Sequence, residues 1–544
     1  MQRATDTGRR GHVARGPRRE RLVKQGPPRV GSLRCRASGV GLPLALALAA
    51  LLMTPGLALG QDGGQDGDAA PAAADPGTNA AAATAAGALG QASEGDADPV
   101  SGPYLGSPTG SPFGRLGPYD LKRPRSTTWV PQIRLGAGVR HLDSEGDQSE
   151  SQGFARLGLF MNFWKVQLGL EADLIFNDRF EPLEETYDDI DDVLGVVRYL
   201  ELGTPGDTVH ARAGVLTDAS IGHGTIVGHY YNNTVLYQPR TGVAAEVDLR
   251  ILGLQVMTND VVEYDVNAAR LTYLPLLDTN VPVLRGLGIG TTLAMDRRAP
   301  QRLIFNGDGT NQVTRREAVR AERDELYIYG VDLELPVLQN DWVTLVPYVD
   351  QNFFSGGGSG FHSGILGRVK LPVHIPLYAS ARFEYRRLGS RYLPTYFDAF
   401  YELERYRYPR VDSGFTKAQI LRGVDQQHGF LYEAAVELPG LFQVGAIYED
   451  NESSTTSRAD IYAAFTGFDW LRLRAHYQKR GLNGIEDIDD IDQQTFISAQ
   501  ALVQIVSFIY ADLRWMRYWE VEEENGRYRP VDVFEPSLAM IFEW

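Results

Sequence analysis

The strongest constraint in this sequence is an alternation of apolar and polar residues, repeated in segments of about ten residues from Trp129 onward. In the segment 166–176 every even position is apolar, whereas Gln167 and Glu171 stand at odd positions. A strand directs successive side chains to opposite faces, while a helix would spread these charges around its circumference. The same alternation returns in 243–250 and 471–478. The chain is therefore expected to fold as an all-β protein.

Composition limits the remaining classes. The 544 residues include 58 glycines, 26 tyrosines and 22 phenylalanines, which suits strands joined by turns. The mean hydropathy of −0.24 excludes a protein built from apolar helical spans. The only cysteine, Cys35, lies in a basic leader, so disulfides, thiol catalysis and cysteine metal sites are excluded for the mature chain.

Three regions follow from the pattern. Residues 1–60 have the order of a signal peptide, with a long basic stretch, an apolar run and a small-residue site before Gln61. Residues 61–126 are rich in Ala, Gly, Asp and Pro, and are expected to form a disordered linker. Residues 127–544 carry the strands. Without the basic leader the chain has 42 basic and 67 acidic residues, a net charge of −25, which disfavours nucleic acid as a partner.

The lengths of the links between strands indicate how the strands are arranged. A soluble antiparallel sheet alternates in the same way as a membrane barrel, so alternation alone leaves both open. Here short links and long or acidic links follow one another with few exceptions, among them the brief link 261–264 and the longer link 276–285. This pattern predicts a transmembrane antiparallel up-and-down β-barrel of about 20 strands, with 18 as the alternative.

The end of the chain carries the most specific signal. Leu538, Met540, Phe542 and the terminal Trp544 alternate on one face. This strand resembles the last strand of porin-like outer-membrane β-barrels of Gram-negative bacteria, although general porins usually end in Phe. The resemblance implies that these four residues are read by the barrel-assembly machinery after export through the periplasm. It also implies outer-membrane lipid, lipopolysaccharide and small polar solutes as partners, and a homo-oligomer as one oligomeric state.

If the apolar faces point to lipid, the opposite faces line the lumen. The predicted walls contain basic and acidic residues in nearly equal number, with acidic residues on two neighbouring strands and basic residues on the next two. Such walls would orient dipolar solutes, or the charges would simply pair across strands, and both interpretations stay open. The predicted pore-lining residues are Arg134, Glu171, Asp173, Arg212, Glu246, Asp248, Asp332, Glu334, Asp350, Arg368, Lys370, Arg382, Glu384, Arg386, Arg472, Arg474, Asp512 and Arg514.

The longest link, 390–427, is unusually aromatic and basic. An exposed loop of this composition would leave a large apolar surface in water. One hypothesis is that it folds into the lumen as a constriction, and the alternative is that it packs outward over the rim. The residues expected to form the constriction are Tyr396, Phe397, Phe400, Tyr401, Arg405 and Arg407.

Other segments carry weaker signals. The glycine-rich segment 218–233 contains His223 and His229, whose spacing does not favour a metal site. The acidic stretches 188–192 and 486–492 are candidate loop sites for Ca²⁺ or Mg²⁺, although solvated charge is the more frequent explanation of such runs. No catalytic residue and no other cofactor is predicted.

The sequence thus favours a porin-like outer-membrane channel for passive or weakly selective diffusion of small polar or charged solutes. Ser220 lies close to His223, but nothing marks it as a nucleophile, so an enzyme is not predicted. The alternative is a barrel without a channel role, either structural, adhesive or a hydrolase at the rim.

Overall fold

The computed structural model describes residues 130–543 apart from 145–149, 178, 184–186, 188, 204–206, 217–218, 234–239, 305–320, 341, 372–376, 407–414, 439–440, 469 and 523–526. The predicted signal peptide, the predicted linker, Arg407 and Trp544 lie outside the described residues. Those predictions remain untested.

Strands dominate the described chain. They are β1 Val130–Ser144, β2 Glu150–Phe163, β3 Val166–Phe176, β4 Val197–Leu202, β5 Val209–Gly214, β6 Ala219–Ile221, β7 Val227–Tyr230, β8 Gly242–Asp248, β9 Leu252–Thr258, β10 Val266–Tyr273, β11 Gly288–Leu303, β12 Ala321–Glu334, β13 Leu338–Gln339, β14 Val343–Phe354, β15 Ser359–Leu371, β16 Leu377–Leu388, β17 Gln427–Leu438, β18 Phe442–Asn451, β19 Arg458–Phe468, β20 Leu471–Arg480, β21 Thr495–Val506, β22 Ile509–Glu522 and β23 Arg527–Glu543.

Short helices interrupt the links. They are α1 Ile190–Gly195, α2 Pro282–Arg285, α3 Tyr401–Glu404 and α4 Lys417–Leu421, with single 3-10 turns at Ser454–Thr456 and Ile485–Asp487. None of the helices in the described ranges is both long and apolar enough to cross a membrane.

The strands close into a ring. Each ring strand pairs antiparallel with the next one along the chain, and β1 returns to pair with β23, where Gln132 lies opposite Glu543 and Ile133 opposite Phe542. Twenty strands form this ring, while β13 adds two residues beside β14 and β6 pairs only with β7. The predicted all-β barrel is confirmed, with 20 strands rather than 18.

The two faces of the wall differ as the alternation predicts. Leu157 and Leu538 on the outer face are both more than half exposed, whereas the neighbouring Arg156 and Ala539 are buried on the inner face. A soluble barrel would bury the apolar face and expose the charged one. Aromatic side chains stack on the outer surface, for example Phe508 on Phe542 with ring centroids 5.7 Å apart. The outer surface is thus suited to lipid.

The links divide the barrel into two ends. The short-turn end carries links such as 164–165, 249–251 and 507–508. The long-loop end carries 177–196, 215–241 and 389–426. Two of these long links enter the interior and form the site described next.

Candidate functional site

Two segments from the long-loop end lie inside the ring. We call residues 219–233 the inserted hairpin, which contains β6 and β7, and residues 389–426 the inserted loop, described except for 407–414. Residues 221–230 and 392–402 are buried, and their side chains contact inward-facing residues of the wall. The two segments also join each other, because Val227 forms a parallel bridge with Phe397 and the Thr395 amide donates to the Thr225 carbonyl at 2.9 Å.

An aromatic core explains why the inserted loop is not left in water. The Phe397 and Tyr401 rings are 4.8 Å apart, and the Tyr396 ring meets Phe354 of β14 edge to face at 5.3 Å. Burial of several rings together stabilises an internal fold, and edge-to-face contacts add to it. The residues predicted to form a constriction are all at most 2% exposed where described, namely Tyr396, Phe397, Phe400, Tyr401 and Arg405.

Asp398 anchors the inserted loop to one side of the wall. Its carboxylate pairs with Lys417 of α4 at 3.3 Å, with Arg458 of β19 at 2.9 Å and with Arg480 of β20 at 2.5 Å. Burial by itself would raise the pKa of the Asp398 carboxyl, but these three cations outweigh burial and hold the pKa well below its ordinary value. Asp398 is therefore a permanent anion at the centre of three cations.

A second carboxylate, Glu402, joins the two inserted segments to the opposite part of the wall. It pairs with Arg240 at 2.7 Å and Arg405 at 3.3 Å, and it accepts the Tyr230 hydroxyl. Arg405 continues to Asp296 of β11 at 2.9 Å. The inserted loop is thus held to the wall at two places, at β11 through Arg405 and at β19 and β20 through Asp398.

The tip of the inserted hairpin carries His223 into a group of wall carboxylates. Its Nδ1 lies 2.8 Å from Asp350 of β14 and its Nε2 lies 2.9 Å from Glu334 of β12. Its ring stacks on Tyr348, with centroids 4.1 Å apart and an interplanar angle of 14°. Burial alone would lower the pKa of His223, but the two carboxylates outweigh it and raise the pKa to about 10. His223 is consequently an imidazolium at neutral pH.

The same place brings together donors of the kinds that bind metals. His223, Asp332 and Asp350 each offer an atom within 4.8 Å of the others. However, Asp332 is already held by Arg270 through two bonds of 2.6 and 3.1 Å, and both nitrogens of His223 face carboxylates. The protein's own cations therefore stand where a metal ion would bind.

The predicted pore-lining residues of the wall β22 to β5 form ion pairs both within a strand and between strands. Arg134 pairs with Asp512 at 2.8 Å, and Asp512 also pairs with Arg514 at 2.9 Å. Asp173 lies 2.6 Å from Arg156. The remaining contacts of this group are Glu171 with Arg198 at 3.1 Å and Arg212 with Glu201 at 3.4 Å.

The other predicted wall residues divide by depth. Arg382 pairs with Glu433 at 2.9 Å, and Glu384 with Arg386 at 2.5 Å, both in the interior. Arg368 and Lys370 lie near the short-turn end, where Arg368 approaches Glu437 at 3.8 Å. Glu246 accepts from Gln255 at 3.2 Å. Asp248 accepts the Arg250 amide in the turn after β8, while Arg472 and Arg474 occupy half-buried inward positions on β20.

The acidic stretches are partly engaged in local contacts. Asp189 caps α1 by accepting the Asp192 amide at 3.0 Å, and Asp487 accepts the Asn483 amide at 2.8 Å. Lys479 pairs with Asp492 at 2.6 Å. Binding of Ca²⁺ or Mg²⁺ at these stretches stays a prediction.

Sequence reasoning missed the two anionic centres Asp398 and Glu402. Both residues lie within the aromatic link 390–427. The signal that could have revealed them is the presence of three acidic residues, Asp398, Glu402 and Glu404, in a segment with many aromatic residues. A carboxylate in a buried aromatic segment requires cationic partners. The chain supplies them from Arg240, Arg458 and Arg480, which are far away in sequence.

The fold and lumen define a transmembrane-type β-barrel with a partly filled interior. Solved structures of similar fold include OccK11 (OpdR) of Pseudomonas aeruginosa, with 12% identity, a TM-score of 0.30, and coverage of 78% of this chain and 98% of that chain. They also include OccAB4 of Acinetobacter baumannii, with 10% identity, a TM-score of 0.27, and coverage of 78% and 100%. A third is OmpT, an outer membrane protein of Vibrio cholerae, with 8% identity, a TM-score of 0.26, and coverage of 76% and 98%.

No protein-family model and no curated protein sequence matches this chain. The assignment of the barrel therefore rests on its own closed strand pairing and on its apolar outer face.

Proposed function

We propose that the protein is a porin-like channel of the Gram-negative outer membrane that admits small polar and charged solutes. The observation that carries the proposal is the unequal filling of the lumen. Most ion pairs of the inserted hairpin and loop go to the wall between β11 and β20, and one further pair joins Arg405 to Asp265 just before β10. On the wall from β22 to β5, some charged side chains keep partial exposure, 18% for Asp173, 27% for Arg198 and 22% for Arg514, whereas others, such as Arg134 and Glu171, are buried. A solute path would run along this second wall.

The charge of that wall supports a preference for anions. Six arginines form ion pairs with five carboxylates among the inward-facing side chains described on this wall. Several carboxylates are shared between two or more guanidinium groups, as Glu535 is between Arg140, Arg156 and Arg514. Rings and rows of Arg select against cations by electrostatic repulsion. The acidic excess of the whole chain does not determine selectivity, because the charges nearest the path act most strongly.

The test is the current carried by the purified protein in a planar bilayer under a salt gradient. We expect discrete conductance steps and a reversal potential on the side that indicates chloride preference. Arg514→Gln should move the reversal potential toward zero, whereas Arg422→Gln, which alters an exposed arginine, should not. A cation preference, or equal effects of both variants, would reject the proposed path.

A second function is favoured by the aromatic core inside the ring. Phe354, Tyr392, Tyr396, Phe397 and Tyr401 form a packed cluster of the kind that stabilises a permanent closure. A barrel closed in this way would serve a structural or adhesive role. Silence in the bilayer from a protein that shows β-sheet circular dichroism would support this alternative and reject the channel.

A further inference from the structure

We propose that Asp350, Glu334 and Tyr348 form a binding site in the barrel wall for a flat nitrogenous cation, and that His223 of the inserted hairpin fills this site as a tethered ligand. We call the three wall residues the cation seat. The proposal concerns recognition within the lumen and does not require that the barrel conducts.

The geometry of the cation seat matches an imidazolium or a guanidinium group. Asp350 and Glu334 face the two ring nitrogens of His223, at 2.8 and 2.9 Å, so each ring N–H donates to a different carboxylate. Tyr348 covers one face of the ring at a centroid distance of 4.1 Å. Two charge-assisted hydrogen bonds in the plane and one aromatic contact on the face define a planar ligand with N–H groups at its edge. A planar cation stacks on the aromatic face, which a compact ammonium group cannot do.

Charge also favours a cation in this seat. The third carboxylate nearby, Asp332, is held by Arg270 through two bonds, so its charge is met by the wall itself. Glu334 also accepts from Arg270 at 3.4 Å, and it faces His223 together with Asp350. The second oxygen of Glu334, Oε1, is buried and has no hydrogen-bond partner among the described residues. The seat therefore retains acceptor capacity beyond what His223 uses.

The cation seat belongs to the ring strands and not to the hairpin. Glu334 lies over Gly288 of β11, where a Cβ atom would come within 2.9 Å of Oε1. Tyr348 lies over Gly364 of β15, where a Cβ atom would come within 2.5 Å of the ring. The Tyr348 hydroxyl donates to Glu384 of β16. Contacts with β11, β15 and β16 thus hold the seat in place, and removal of His223 would leave it formed.

The hairpin is attached to the seat through several weaker contacts. The Thr225 hydroxyl donates to Asp350 at 2.6 Å, and the Gly222 amide donates to Gln255 of β9 at 2.9 Å. Tethering gives His223 a high effective concentration, so a free solute competes poorly with it. A cationic solute that did occupy the seat would release the tip of the hairpin. The class of ligand is therefore an imidazole-like or guanidine-like compound.

The experiment is a calorimetric titration of imidazole at about pH 6, where it is largely protonated, into the purified barrel in detergent micelles. His223→Gly should bind imidazole saturably with one site, whereas the wild type should not. Adding Asp350→Asn to His223→Gly should weaken binding about tenfold or more, since one charge-assisted bond is lost. Guanidinium should compete with imidazole for the same site.

His210→Gly is the matched control. His210 also faces the interior and lies 3.0 Å from one carboxylate, Glu201, and it is 14% exposed in its side chain. We expect no saturable binding there. His223→Ala provides a second vacated seat if the glycine variant does not fold.

Absence of saturable binding in both vacated variants, with the barrel folded by circular dichroism, would overturn the proposal, and so would equal binding in His210→Gly. Binding in a barrel that carries no current would support the cation seat and reject the channel. Current without saturable binding would support the channel and reject the cation seat.

Discussion

Gly364 shows how a single missing Cβ atom shapes the interior of the wall. It stands opposite Tyr348 in the register of β14 and β15, and the Tyr348 ring lies flat over it. In this position the tyrosine reaches Glu384 with its hydroxyl and His223 with its face. The glycine therefore helps to position both Glu384, its register partner on β16, and His223 of the inserted hairpin.

We expect Gly364→Ala to destabilise the barrel by about 1–3 kcal/mol, because the new methyl group would force the Tyr348 ring out of its place. Gly367→Ala on the same strand is the control, since its Cβ would come no closer than 3.5 Å to Leu345. The measurement is equilibrium unfolding of both variants in urea from lipid vesicles. Equal free energies of unfolding for the two variants would show that the Tyr348 side chain moves aside without loss of stability.

The charge of His223 makes the anchoring of the hairpin depend on pH. Asp350, Glu334 and Tyr348 face its ring, Arg382 donates to its carbonyl, and Asp332 with Arg270 lies beside them. Because the pKa of His223 is raised to about 10 from an ordinary 6.5, its contribution is fully present below about pH 6.5. That contribution is lost as the pH rises through about 10.

Protease cleavage of the hairpin should therefore rise in a broad step between about pH 6.5 and pH 10 in the wild type. His223→Gln should be cleaved more readily at neutral pH and should show no such step. A wild type that remains protected throughout would mean that the other hairpin contacts suffice.

At the scale of an element, the inserted loop depends on Asp398. Three cations from α4, β19 and β20 surround this carboxylate, and removal of one partner from a buried ionic cluster leaves the others uncompensated. Glu404 of the same loop also pairs with Lys417 and Arg480, so two carboxylates, Asp398 and Glu404, dock the loop on the β19 and β20 side.

Asp398→Ala should cost about 3–5 kcal/mol of docking free energy and should release the loop from that side. The expected result is faster proteolysis within 389–426 and a larger or noisier conductance. Asp425→Ala, which removes an exposed carboxylate of the same loop, should behave as the wild type. Unchanged proteolysis in Asp398→Ala would show that the aromatic core and the remaining ion pairs of the loop hold it without Asp398.

At the scale of the whole molecule, the apolar outer surface sets the environment in which the barrel is stable. Leu157 is 56% exposed in the middle of β2, and Leu249 is 62% exposed in the turn after β8. Similar exposure at different depth makes these two positions a matched pair.

Leu157→Arg should destabilise the barrel by about 2–4 kcal/mol in lipid vesicles, because it places a charge near the bilayer midplane. Leu249→Arg should cost about 0–1 kcal/mol, since it lies near the interface. Urea unfolding in vesicles measures both values. Equal losses of stability in the two variants would contradict a membrane that surrounds the middle of the barrel.

The sequence by itself determined the class of fold and the side of the wall on which most residues lie. Alternation with a period of two is a local property, so Glu171, Asp332 and Arg382 could be assigned to the inner face without knowledge of their neighbours. The length and aromatic content of 390–427 likewise predicted a segment that does not remain in water, although not which of two directions it takes.

Only the tertiary structure decided which charges meet. The pairs His223 with Asp350 and Asp398 with Arg480 join positions 127 and 82 residues apart in sequence. Such pairs arise from strand register and from the path of the two inserted segments, which no local pattern records. A row of charges on one face of a strand therefore predicts a polar lumen. Which charges pair with each other, and which of them hold the inserted segments, follows from the closed ring.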